Sequence, residues 1–112
     1  MLEQLINAMQ AENYEAVLQC FHDGTETVFK DYSPLLEKQP LICLCGSNAI
    51  RMFFRDRFYP MNRSFRIHEV RITDAASATF FEENQGHYYY SRLSIEQYDE
   101  DGLILKAVIR PE

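Results

Sequence analysis

The sequence predicts an α+β domain, with short helices from its N-terminal half packed on one face of an antiparallel sheet built by its C-terminal half. Three observations predict it. Apolar residues recur at helical spacing near the N-terminus and again after Gly46. From Arg63 onward, β-branched and aromatic residues fall in strand-like runs divided by turn formers. The last two runs, His87–Tyr98 and Leu103–Arg110, flank Asp99-Glu100-Asp101-Gly102 and read as a β-hairpin.

Leu2, Leu5, Ile6 and Met9 give the first helix one apolar face, and the polar step from Gln10 to Asn13 interrupts it. Asn13 caps a second helix, Tyr14 to Phe21, with Val17, Leu18 and Phe21 inward; His22-Asp23-Gly24 stops it. Thr25 to Phe29 reads as a strand. Lys30 to Pro40 is a loop whose Leu35 and Leu36 either plug one end of the core or form a lid over a cavity. Gly46-Ser47 opens a third helix with Ile50, Phe53, Phe54 and Phe58 on its inner face, and Pro60 ends it. Strands Ser64–Thr73 and Ser77–Glu82 follow, and Glu83-Asn84-Gln85-Gly86 turns the chain into the hairpin.

Gly102 after an acidic run suits a type I turn closed by a left-handed glycine. That turn sets Asp99 opposite Leu103 and Glu96 opposite Lys106. Leu93, Ile95, Leu105, Ala107 and Ile109 then share an apolar face, and Arg92, Ser94, Glu96, Lys106 and Arg110 share a polar one. A first arm of twelve residues spans about 40 Å, long enough that it must twist or bend.

At 112 residues the chain makes one domain, 1–112, with a single core and room for a modest pocket. A net charge of −6 with dispersed lysines and arginines gives no nucleic-acid footprint. Glu3 and the absence of a long apolar run argue against a signal peptide or membrane span. Cys20, Cys43 and Cys45 show no disulfide framework. Cys43-Leu44-Cys45 has no further ligand at metal-binding spacing, so buried thiols in a reducing, cytoplasmic setting are expected, with no metal and no cofactor.

The run from Asn7 to Phe21 resembles the helix-break-helix opening of the nuclear-transport-factor-2-like superfamily, in particular its SnoaL-like and ketosteroid-isomerase-like branch. Val28-Phe29-Lys30-Asp31, the helix start from Gly46 to Phe54, and Asp101-Gly102-Leu103-Ile104 follow in the same order. The resemblance implies a cone-shaped fold, cystatin-like or SnoaL-like: a strongly curved antiparallel sheet wrapped around three N-terminal helices, with a pocket at the open end. It also implies a homodimer formed through the outer face of the sheet. Members include isomerases, cyclases, dehydratases, hydrolases and non-catalytic binding domains, so the site has to be argued separately.

Asp31 matches the position of the isomerases' general base, across a two-residue insertion between Phe21 and Asp31. The oxyanion tyrosine of helix one falls on Leu5, and the protonated aspartate of the long strand on Ser94. Steroid-type isomerisation is therefore not expected. Asp31 reads either as a general base or as an aspartate capping a turn. Arg92, Ser94 and Glu96 either converge on one bound polar group, with Arg92 as electrophilic partner, or form a solvated ladder. His68 reads as a proton shuttle or as an exposed strand histidine. Tyr14, Phe54, Phe58 and Tyr90 complete the candidate binding set. The expected function is a dimeric domain binding a small apolar or aromatic molecule. The alternative is a small cofactor-independent enzyme of isomerase, cyclase or dehydratase type, using Asp31 as base.

Overall fold

Residues 1–30, 41–58, 66–84 and 87–112 are described by a computed structural model, without the side chains of Lys30, Leu41, residues 56–58, Asn84 and His87. Asp31, Leu35, Leu36, Pro60, the Phe58 ring and the 85–86 turn lie outside the described residues. The elements are α1 (Leu2–Gln10), α2 (Tyr14–Leu18), β1 (Glu26–Lys30), β2 (Leu41–Cys45), α3 (Ser47–Phe58), β3 (Arg66–Asp74), β4 (Ser77–Asn84), β5 (His87–Tyr98) and β6 (Ile104–Pro111).

α1 buries Leu2, Leu5, Ile6, Ala8 and Met9, the stripe its periodicity marks. Asn13 caps α2, its side chain accepting from the Ala16 N–H at 3.2 Å. α2 stops at Leu18, short of the expected Phe21. The Cys20 and Phe21 N–H groups bond three residues back, to Val17 and Leu18, which tightens the last turn. Phe21 then bridges to Ile104 in the sheet.

The strand order is β2-β1-β6-β5-β4-β3 in one sheet that does not close. β1 runs parallel to β6 and every other pairing is antiparallel. β2 corrects the sequence reading, which assigned Leu41–Cys45 no element. Leu-Ile-Cys-Leu-Cys is apolar at every position, so it lacks the alternation that signals a strand. The final hairpin keeps the expected register from Ser91 opposite Pro111 to Ile95 opposite Ala107, but a bulge then sets Gln97, and not the expected Glu96, opposite Lys106. The Asp99 N–H donates to Leu103 O at 2.8 Å and the Gly102 N–H to Asp99 O at 3.2 Å, with Gly102 at φ +81°. This is the glycine-closed turn.

Paired residues share a face, so the register sorts the whole sheet. Phe29, Ile109, Leu93 and Ile95 lie on the inner face with Phe80, Glu82 and Ile67. Phe53 and Phe54 of α3 meet Phe29 there, with ring centroids 5.2 and 5.3 Å away. Irregularities between His68 and Arg71, where Glu69 has φ 53°, and between Ile95 and Gln97 bend the sheet around the helices. The pairing also gathers the C-terminal ends of β1, β4 and β6 and the N-terminal ends of β2, β3 and β5 at one end of the sheet. α3 starts at the opposite end, where the Gly46 N–H donates to Thr25 O.

Candidate functional site

Near the gathered strand ends, the inner face holds a polar pair inside an apolar surround. Ile67, Glu82 and Tyr89 form one cross-strand row, and Phe80 and Ser91 the next. Glu82 and Ser91 are both completely buried, and Ser91 Oγ donates to Glu82 Oε2 at 3.1 Å. Ile67 and Phe80 are buried beside them, and Tyr89 packs half-buried against the core. Taking a carboxyl group out of water costs several kcal/mol unless hydrogen bonds compensate. A carboxyl group held there can accept from a polar neighbour, or donate to one when protonated.

The outer face at the same end is an open hollow of about 680 Å³ lined by His68, Glu69, Phe81, Glu83 and Tyr88. His68 Nε2 lies 3.4 Å from Glu83 Oε2. Phe81 and Tyr90 pack with ring centroids 4.8 Å apart, and Tyr88 stays 67% exposed. A few residues further along β5, Arg92 forks onto Glu112, at 2.8 Å through Nε and 2.9 Å through Nη2. The hydrogen bonds and charge of Glu112 hold the guanidinium pKa above its ordinary value, and Arg92 holds that of Glu112 below.

The structure divides the sequence-predicted residues between the two faces of the sheet. Phe54 is buried in the inner aromatic cluster, and Tyr14 is half-buried against the core. His68, Tyr90, Arg92 and Ser94 all lie on the outer face. Glu96 sits at the β5 irregularity, 3.5 Å from Lys106 Nζ. Arg92 and Ser94 face outward because the alternation that buries Leu93 and Ile95 turns these neighbours to the other side of the sheet. Asp31 and the Phe58 side chain lie outside the described residues. Cys43 and Cys45, expected to be buried, are exposed, whereas Cys20 is buried.

Glu82, Ser91 and Tyr89 were not among the expected site residues. The signal was present: the Leu93–Ile95 alternation carried back along β5 selects Ser91 and Tyr89. The register of β4 against β5 then sets Glu82 opposite Tyr89. Among the described residues no group of three or more His, Cys, Asp or Glu is placed to hold a metal ion. No helix among them is long and apolar enough to cross a membrane.

A curved six-stranded sheet cupping three helices defines the cone-shaped class of α+β folds. Within that class the chain has the SnoaL-like, nuclear-transport-factor-2-like fold. A SnoaL-like protein of unknown function from Burkholderia thailandensis superposes with a TM-score of 0.61 at 14% identity, over 98% of this chain and 89% of that one. A protein from Sphaerobacter thermophilus gives 0.64 at 12%, over 99% and 92%. A putative scytalone dehydratase from Novosphingobium aromaticivorans gives 0.60 at 10%, over 99% and 81%. No family model matches the chain. No curated protein matches it.

Proposed function

We propose that the protein is a homodimeric small-molecule-binding domain whose ligand enters at the gathered strand ends and is anchored on the inner face by Glu82. The buried Glu82–Ser91 pair carries this reading, since it is a polar anchor within an apolar surround. The ligand class is a small, largely apolar or aromatic molecule bearing one hydrogen-bond donor. The outer face supports the dimer. Phe81, Tyr88 and Tyr90 are large exposed rings at 37%, 67% and 40% exposure, interleaved with His68 and Glu83, a composition suited to a second copy of the chain. Three cysteines without a disulfide fit a reducing, cytoplasmic setting.

2-Naphthol, an aromatic ring with one hydroxyl donor, is a direct probe. Fluorescence titration is expected to show saturable binding that Glu82→Gln weakens by about tenfold or more, the scale of one charge-assisted hydrogen bond. Sedimentation at micromolar concentration is expected to give a dimer that Tyr90→Asp converts to monomer. Equal affinity in Glu82→Gln, or no saturable binding, overturns the anchor. A wild-type monomer overturns the dimer.

A further inference from the structure

The edge strand β2 carries a feature that the ligand site does not use. Cys43 and Cys45 are two residues apart on the outer face of β2, opposite Val28 and Glu26 of β1. Both are exposed, and their sulfurs lie 3.1 Å apart. β2 ends the sheet, with β1 as its one neighbour there and β4 and β5 well across the order. The pair is thus remote from the Phe81, Tyr88 and Tyr90 patch.

We propose that Cys43 and Cys45 form a solvent-facing two-thiol site for a soft, two-coordinate metal ion of the Cu(I) type. Two geometric facts select this chemistry. Same-face neighbours along a strand have Cα atoms about 6.6 Å apart. That is at the outer limit of the disulfide range, and their Cβ bonds run side by side instead of converging. Direct S–S closure therefore strains the strand, whereas an ion inserted between the sulfurs lets them stand further apart. The donor count gives the second selection. No third His, Cys, Asp or Glu among the described residues joins the pair in a metal-holding group. Among the described residues a four-coordinate ion such as Zn(II) finds no full ligand set here, while a soft ion that accepts two thiolates does. Binding forms two Cu–S bonds and releases two protons: Cu(I) plus two thiols gives the bis-thiolate complex and 2 H⁺, with no change of oxidation state.

The test is an anaerobic competition on the reduced full chain, with Cu(I) supplied as its bathocuproine disulfonate complex. The wild type is expected to withdraw one equivalent from the chelator. Cys43→Ser and Cys45→Ser are each expected to weaken that competition by about 100-fold, since a hydroxyl replaces a soft thiolate. Wild type alkylated at its exposed thiols is expected not to compete, and this arm is independent of how the variants fold. Buried Cys20 is retained in every variant, so competition by Cys43→Ser/Cys45→Ser at wild-type strength overturns the proposal. Failure of the wild type to withdraw copper overturns it as well.

Discussion

Ser91→Ala tests the inner-face pair at the level of a single hydrogen bond. The substitution removes Oγ, which donates to Glu82 Oε2 at 3.1 Å with both residues fully buried. It leaves a nearly isosteric methyl against the same neighbours. Losing one hydrogen bond of a buried carboxyl group costs about 0.5–1.5 kcal/mol. Unfolding entropy is about 2.1 cal/mol/K per residue, so for 112 residues each kcal/mol moves Tm by about 4 °C. The expected drop is therefore about 2–6 °C by calorimetry, with an unchanged urea m-value. Glu82→Gln/Ser91→Ala closes a double-mutant cycle, and coupling of about 0.5 kcal/mol or more is expected for groups in contact. A Ser91→Ala protein within about 0.3 kcal/mol of wild type, together with additive single effects, would refute the claim that this hydroxyl supports the carboxyl group.

Two further outcomes follow from the turns. The Ala76 N–H donates to Asp74 Oδ1 at 2.8 Å, and this bond, followed by one from Ser77, lowers the Asp74 pKa below its ordinary 3.8. The carboxylate's contribution is complete above the unfolded value and is lost as pH falls from 3.8 through the lower folded one. Urea melts below pH 4 should thus converge for wild type and Asp74→Asn, after separating at pH 6. Gly102 has φ +81°, and an added Cβ would meet nothing within 4 Å, so Gly102→Ala carries a backbone cost alone. About 1–2 kcal/mol is expected, with Gly102→Asn milder; a neutral Gly102→Ala would contradict the left-handed turn.

Much of the fold was legible because local chemistry and global packing agree. The α1 stripe, the Asn13 cap and the glycine-closed turn each have one favourable solution, and the hairpin register follows from the turn. β2 was not legible, because Leu41–Cys45 carries no period, and its partner β1 lies across a long connection. The end of α2 was missed for a related reason. Phe21 continues the apolar spacing, but its pairing with Ile104 in the sheet wins over another helical turn.

The site was harder to read than the fold because a strand's two faces differ by one residue. Arg92, Ser94 and Tyr90 have the side chains expected of a site, and those polar groups are what their face offers to solvent. The inner face is where a polar group carries information, since the helices exclude water from it. Ser91 and Glu82 look unremarkable as letters in Tyr90-Ser91-Arg92 and Phe81-Glu82-Glu83. They become candidates once Leu93 fixes the parity of β5 and that parity is passed across the ladder to β4. Of two adjacent glutamates, Glu83 faces His68 across the open hollow and Glu82 faces the core. The same carboxyl chemistry thus meets solvent and a histidine in one case and a buried serine hydroxyl in the other. Exchanging the pair's parity by a one-residue slip of β4 would exchange those environments, so the register of β4 against β5 decides which carboxyl group is buried.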